Sequence, residues 1–193
     1  MSCIDSKQLE KVIELAVAIN RLAKCFSEML EDRNTCLDGF KRAFRIIGHE
    51  LRDPQEILGD LERFIRSRHL YESSYISSDP VLLKARLSSL YRSFGVIEKE
   101  EMADHISVEL EFLSLLLAKI FVTSIRGDDN VCVMSLKAAR IMIMDHLSTW
   151  ITSFKEITGP SKASEVLEIL DILLSRTRDI LKIGDVLSAA NSP

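Results

Sequence analysis

The stretch that decides the fold is residues 104–126, DHISVELEFLSLLLAKIFVTSIR, followed by Gly127. From Ile106 its apolar residues recur every three or four positions, and from Phe112 onward they occupy nearly every side of a helix. A helix that is apolar all round must sit inside a shell of others. This one, running from about Asp104 to Arg126, is therefore expected to be central and buried, with Gly127 as its stop.

The same spacing extends outward on both sides. Toward the N-terminus, Ser6 can cap a helix carrying Leu9, Val12, Ile13, Ala16, Ile19, Ala23, Phe26 and Leu30 to about Glu31. Asp32-Arg33-Asn34-Thr35 breaks it, and a second helix follows with Leu37, Phe40, Ala43, Phe44 and Ile47, ending near Leu51. Asp53-Pro54 and Asp79-Pro80 each join a capping acceptor to a first-turn proline. The first pair opens a helix through Ile57, Leu58, Leu61, Phe64 and Ile65. The second opens one to about Phe94, stopped by Gly95. Between them the periodicity fails from Ser67 to Ser78, which reads as a loop. Toward the C-terminus, Val131 to Asp145 is helical and His146 to Thr158 continues it after a kink. Gly159-Pro160 ends that helix, and a last one runs from Ser161 to about Ile183, with residues 188–193 as a frayed tail. No strand pair is readable. The expectation is an all-α chain, one compact domain of about seven to ten helices over residues 1–193.

Composition supports this and excludes several function classes. Seven glycines and four prolines in 193 residues are too few for the many tight turns of a sandwich or barrel. A net charge of −4 is the wrong sign for a general nucleic-acid binder, which must neutralise phosphates. The longest run without Asp, Glu, Lys or Arg is nine residues, His146 to Phe154, where a spanning helix needs about 20. With no apolar core at the start to suggest a signal peptide, the chain reads as soluble and cytoplasmic, without membrane insertion. Cys3, Cys25, Cys36 and Cys132 form no Cys-x-x-Cys pair, and are expected to pack as reduced small hydrophobes. The basic residues between Lys41 and Arg68 interleave with acids, so a solvated ion-pair face is expected there.

The chemistry concentrates at the start of the central helix. His105 and Glu109 lie one turn apart, with Asp104 and Glu111 flanking them. One reading is structural: Asp104 caps the helix, His105 sits in its first turn and the glutamates edge a surface. A second is a metal site completed by His146 or His49, although the paired Glu-x-x-His of a di-iron bundle is absent. No phosphate loop, dinucleotide turn or nucleophile elbow accompanies these residues, so neither a cofactor nor an enzymatic activity is indicated. Carboxylates at the edge of an apolar helix need cationic partners, from the protein or from a ligand.

Asp104-His105 followed by Glu109-Leu110-Glu111-Phe112 resembles the signature of the TorD/DmsD/NarJ family of redox-enzyme maturation chaperones. Weaker matches surround it in the same order: Tyr71-Glu72-Ser73-Ser74-Tyr75, Tyr91 to Gly95, and His146-Leu147 with Trp150 and Phe154. The family's usual prolines before Asp-His and before the tryptophan are missing, with Met102-Ala103 and Thr149 in their places. The resemblance implies a TorD-like helical chaperone, monomeric or homodimeric. It would bind the twin-arginine leader and the catalytic subunit of a molybdopterin oxidoreductase before export. It also implies a peptide-binding set of Asp104, His105, Glu109, Glu111, Tyr71, Ser74, Tyr75, His146 and Trp150. In that set Asp104 would accept from a guanidinium and His105 would orient it. Trp150, the only tryptophan, reads on its own as a core residue. The rival readings are a helical adaptor whose acid cluster is purely structural, and a metal-binding bundle.

Overall fold

The computed structural model describes residues 3–28, 32–48, 53–66, 70–76, 79–98, 102–158 and 162–182. Eight α-helices make up almost all of them: α1 (Ser6–Glu28), α2 (Arg33–Ile46), α3 (Pro54–Arg66), α4 (Pro80–Ser93), α5 (Ile106–Arg126), α6 (Asp129–Ile141), α7 (Ser148–Thr158) and α8 (Lys162–Ile180). The all-helical reading holds. The expected tail lies outside the described residues, while the last helix ends at Ile180, short of the expected Ile183, with Lys182 at a φ of 50°.

The helix boundaries follow local chemistry. Asp79 Oδ1 accepts from the backbone N–H of Val81 at 2.9 Å and of Leu82 at 3.4 Å, with Pro80 in the first turn. At Asp53-Pro54 the backbone carries the turn: Asp53 O accepts from Glu56 N at 3.0 Å, and Asp53 takes a φ of 47°. Gly95 and Gly127 adopt left-handed φ values of 78° and 71°, which glycine reaches without a Cβ penalty, and both helices stop there as expected. The second helix ends earlier than the spacing suggests, at Ile46, because Gly48 turns left-handed and Arg176 of α8 donates to Ile47 O at 3.0 Å.

Helix α5 is the axis of the molecule. Helix α1 lies along it and α2 packs back on α1, while α6 returns along α5 and α3 and α7 close against α8. Ile106, Leu110, Leu113, Leu116, Leu117 and Ile120 of α5 are fully buried. Each such side chain contributes roughly 1.5–3 kcal/mol by leaving water. Ser114 donates to Ala16 O at 3.0 Å, a polar contact between α5 and α1 inside the core. The end of α5 departs from the expectation of burial throughout. Ile125 is 62% exposed and Val122 40%, although α6 covers another side of these turns, where Cys132 Sγ lies 3.2 Å from Ser124 Oγ.

The kink expected near His146 is a π-helical turn, Met142–Leu147, that joins α6 to α7. One extra residue in the turn rotates the following side chains, so His146 and Trp150 face the start of α5. In the basic stretch Arg63 pairs with Asp60 as expected, while Arg42 pairs with Asp38 at 2.8 Å and the partly buried Glu62 with Arg33 at 3.1 Å, partners that precede the stretch.

The cysteines are not free, which corrects the expectation. Cys3 is disulfide-bonded to Cys132 and Cys25 to Cys36. The α1–α2 hairpin brings Cys25 and Cys36 face to face, and packing of the N-terminal residues on α6 does the same for Cys3 and Cys132. Neither proximity is visible in gaps of 11 and 129 residues.

Candidate functional site

The site forms where the loop before α4 meets the entry to α5. Glu72 N donates to Asp104 O and Ile106 N to Leu70 O, both at 2.9 Å, so Tyr71 and His105 form an isolated antiparallel bridge. The loop then tightens into a single 3₁₀ turn, Glu72–Ser74.

This pairing redirects the two signature residues. Asp104 does not cap its own helix; its Oδ2 accepts from Ser73 N at 3.1 Å and so holds the 3₁₀ turn across the gap. His105 is the cap of α5. Its backbone is extended, with φ −83° and ψ 138°, and its Nδ1 accepts from Ser107 N at 3.2 Å and lies 2.7 Å from Ser107 Oγ. The capping role expected of Asp104 thus falls to His105, because a strand-like contact turns Asp104 toward the loop. Burial pushes the His105 pKa down to about 4, although the neighbouring Asp104 carboxylate works the other way. The imidazole is therefore neutral at pH 7, which suits an acceptor at Nδ1.

Behind these residues lies a buried acid cluster. Glu72, Asp104 and Glu109 have no exposed surface. Glu72 accepts from His146 Nδ1 at 2.9 Å, across 74 residues of sequence. Glu109 Oε2 accepts from Trp150 Nε1 at 3.3 Å, while its Oε1 has no hydrogen-bond partner among the described residues. Burial, followed by the charges of Glu72 and Asp104, raises the Glu109 pKa well above the carboxylate range, with the Trp150 hydrogen bond opposing. The protonated form of Glu109 is thus favoured by its surroundings. Asp104 Oδ1 lies 3.5 Å from Lys84 Nζ, a partly exposed cation on α4.

Aromatic rings close the cluster on two sides. Tyr75 stacks on Trp150 with centroids 5.4 Å apart, and both pack on Phe154. Tyr71 meets His105 edge-on at 4.8 Å, and its hydroxyl lies 3.2 Å from Met102 Sδ. Tyr91, wholly buried, donates to Ala103 O at 2.9 Å and so anchors the chain just before the signature. Of the nine sequence-predicted residues, seven meet here: Tyr71, Tyr75, Asp104, His105, Glu109, His146 and Trp150. Ser74 sits exposed at the end of the 3₁₀ turn, and Glu111 is exposed on the other side of α5.

Three participants are not indicated as site residues by the sequence. Glu72 lies within the Tyr-Glu-Ser-Ser-Tyr loop, where an acid between two tyrosines is the one available signal. Lys84 and Tyr91 carry no local signal of their role. Among the described residues no three His, Cys, Asp or Glu side chains gather as a metal-ligand set. His146 is engaged by Glu72 and His105 by Ser107, while His49 lies outside the described residues.

The outer face of α5 borders a groove of about 740 Å³, walled by α1 and by residues 96–98. Val96, Ile97, Met102, Val108, Phe112 and Leu115 supply its apolar lining, and Glu98 and Glu111 its carboxylates. Met102 and Ser107 belong to this wall while touching Tyr71 and His105 behind it. The buried cluster and the groove are therefore two sides of one partition.

Residues 62–156 match the family model of the nitrate reductase delta subunit, a segment covering just under half of the chain and every member of the acid cluster. Over this segment the chain is similar to that family. The match supports a NarJ/TorD-type chaperone of molybdoenzyme maturation in general terms. No curated protein and no solved structure matches the chain. No described helix is long and apolar enough to cross a membrane.

Proposed function

We propose that the chain is a cytoplasmic chaperone that binds the twin-arginine leader of a molybdopterin oxidoreductase's catalytic subunit and holds that subunit until assembly is complete. The observation that carries this reading is the acidic run leading into α5, inside the segment matched by the family. Between Glu98 and Glu111 the acids are Glu98, Glu100, Glu101, Asp104, Glu109 and Glu111 against the single base Lys99, a net −5 where the whole chain carries −4. A twin-arginine leader presents two guanidinium groups followed by an apolar stretch, so its receptor needs carboxylates beside apolar surface. One Arg–carboxylate pair at about 4 Å gains roughly 4 kcal/mol at an effective dielectric of 20, before desolvation.

Within this role the nine residues divide by exposure. Asp104, His105, Glu109, His146 and Trp150 are positioning residues that set the angle between the loop and α5. Tyr71, Ser74, Tyr75 and Glu111 retain surface from which to meet the peptide. The chaperone works as a monomer or homodimer, with no cofactor of its own.

The test is capture of the tagged chain from its native host, with the bound proteins identified by mass spectrometry. A molybdopterin oxidoreductase catalytic subunit should be enriched, and deletion of its leader should reduce its recovery. Enrichment of unrelated proteins only, or of the client irrespective of its leader, would remove leader binding from the account.

A further inference from the structure

Helix α6 leaves an apolar stripe uncovered. Its inner side is buried, with Cys132 Sγ reaching Ile120 O of α5 and Ser135, Ala138 and Ala139 almost without exposure. Its outer side carries Val133, Met134, Lys137 and Ile141, spaced so that they align along one face, and Met144 extends the line into the π-turn. Met134 is 57% exposed, and Val133, Ile141 and Met144 about two-fifths each. Among the described helices none exposes as many large apolar side chains. A contiguous apolar stripe of this kind marks a contact surface, where scattered single residues do not.

The charges beside the stripe are sorted along the helix. Asp128 and Asp129 stand at its start, and Lys137 and Arg140 in its last two turns. Neither Lys137 nor Arg140 forms an ion pair among the described residues. Asp129 and Arg140 are about three turns apart, so they lie on the same edge of the stripe. A second helix sorted in the same way complements this one only when it runs antiparallel, with its basic end over the acidic start. Parallel, like charges would meet. A second copy of α6 has the required sorting, and a two-fold axis makes one face complementary to itself. Antiparallel alignment also sets the two helix dipoles head to tail.

We infer that this stripe is the face through which two copies of the chain pair, α6 against α6 and antiparallel, about a two-fold axis beside Met134. Met134 and Val133 then meet their counterparts at the axis, and Ile141 lies over the start of the opposite helix. Asp129 of each copy faces Arg140 of the other. Lys137 stands within the stripe, where a charged residue on an apolar seam fixes alignment at a cost in affinity. A contact of about four turns is smaller than the roughly 800 Å² per partner of a standard interface, so the dimer is expected to dissociate at micromolar concentration. This pairing does not depend on leader binding.

The experiment is sedimentation velocity of the full chain from low to high micromolar concentration, with circular dichroism to check helicity. The wild type should pass from monomer to dimer. Met134→Asp places a charge on the axis at a side chain outside the core, and should stay monomeric with unchanged helicity. Arg140→Glu and Asp129→Arg each set like charges against one another at both edges, and each should dimerise about tenfold more weakly. Mixed in equal amounts, these two variants restore both pairs across a heterodimer, so the mixture should associate more tightly than either alone. A wild type that stays monomeric at high concentration overturns the inference, and so does a mixture that associates no better than its components. If the wild type is monomeric and Met134→Asp loses its client, the dimer falls and the stripe belongs to the client.

Discussion

The two sides of the α5 entry hold carboxylates in opposite conditions. Inside, Glu72 and Asp104 are met by a backbone N–H, His146 and Lys84, and burial shifts Glu109 toward its protonated form. Outside, Glu111 is exposed on the groove wall, while Glu98 at the groove's edge keeps both carboxylate oxygens from solvent with no hydrogen-bond partner among the described residues. The difference teaches that an acidic signature need not be a ligand-reading surface along its whole length. Its buried part ties the loop at residues 70–76 to the α5 entry, and its exposed part faces solvent.

The largest expected effect would come from breaking the inner side at its centre. Trp150→Ala removes a wholly buried ring from its stacks with Tyr75 and Phe154 and strips Glu109 of its donor. Denaturant titration should show a loss of about 3–5 kcal/mol. A loss below about 1 kcal/mol would mean that Trp150 is not structural and would return it to the peptide surface.

Acid sharpens the comparison next. The unfolded His105 takes a proton near pH 6.5 that the folded one refuses until about pH 4, so its contribution is complete above pH 6.5 and is lost as pH falls to about 4. That shift corresponds to about 3 kcal/mol. Glu109 runs the other way: its folded pKa is raised above 4.5, so its contribution is complete below that value and declines as pH rises. His105→Asn keeps a capping acceptor but cannot titrate. Denaturation midpoints at pH 7 and pH 4.5 should therefore fall less on acidification in this variant than in the wild type. Identical slopes would separate His105 from the acid response.

The smallest effect tests the partition itself. Asp104→Ala leaves Ser73 N without its acceptor and should cost about 1–3 kcal/mol of stability. Glu111→Gln, on the exposed face, should stay within about 0.5 kcal/mol. Thermal melts of the pair that come out equal would erase the distinction between the two sides.

Much of this is legible in the sequence. Asp79-Pro80, Gly95 and Gly127 carry their own instructions, because a capping carboxylate, a ring-locked φ and a missing Cβ act within a few residues. The Asp104-His105 and Glu109–Phe112 spacing marks the end of α5 at which the buried acids gather. What is not legible depends on partners far away in the chain. Nothing near Glu72 announces His146, and nothing near Cys3 announces Cys132. The exchange of roles between Asp104 and His105 is hidden for the same reason, since the loop that pairs with the α5 entry lies 31 residues earlier.

By itself, then, the sequence determined that the chain is helical, where most helices start and stop, and which of them is central. Those features rest on local backbone preferences and on the period at which apolar residues recur. Only the tertiary structure decided which carboxylates are buried and which face the groove. A charge's environment is set by everything packed around it, and here those neighbours come from the loop at residues 70–76, from α4 and α5, and from the π-turn that swings His146 and Trp150 into place.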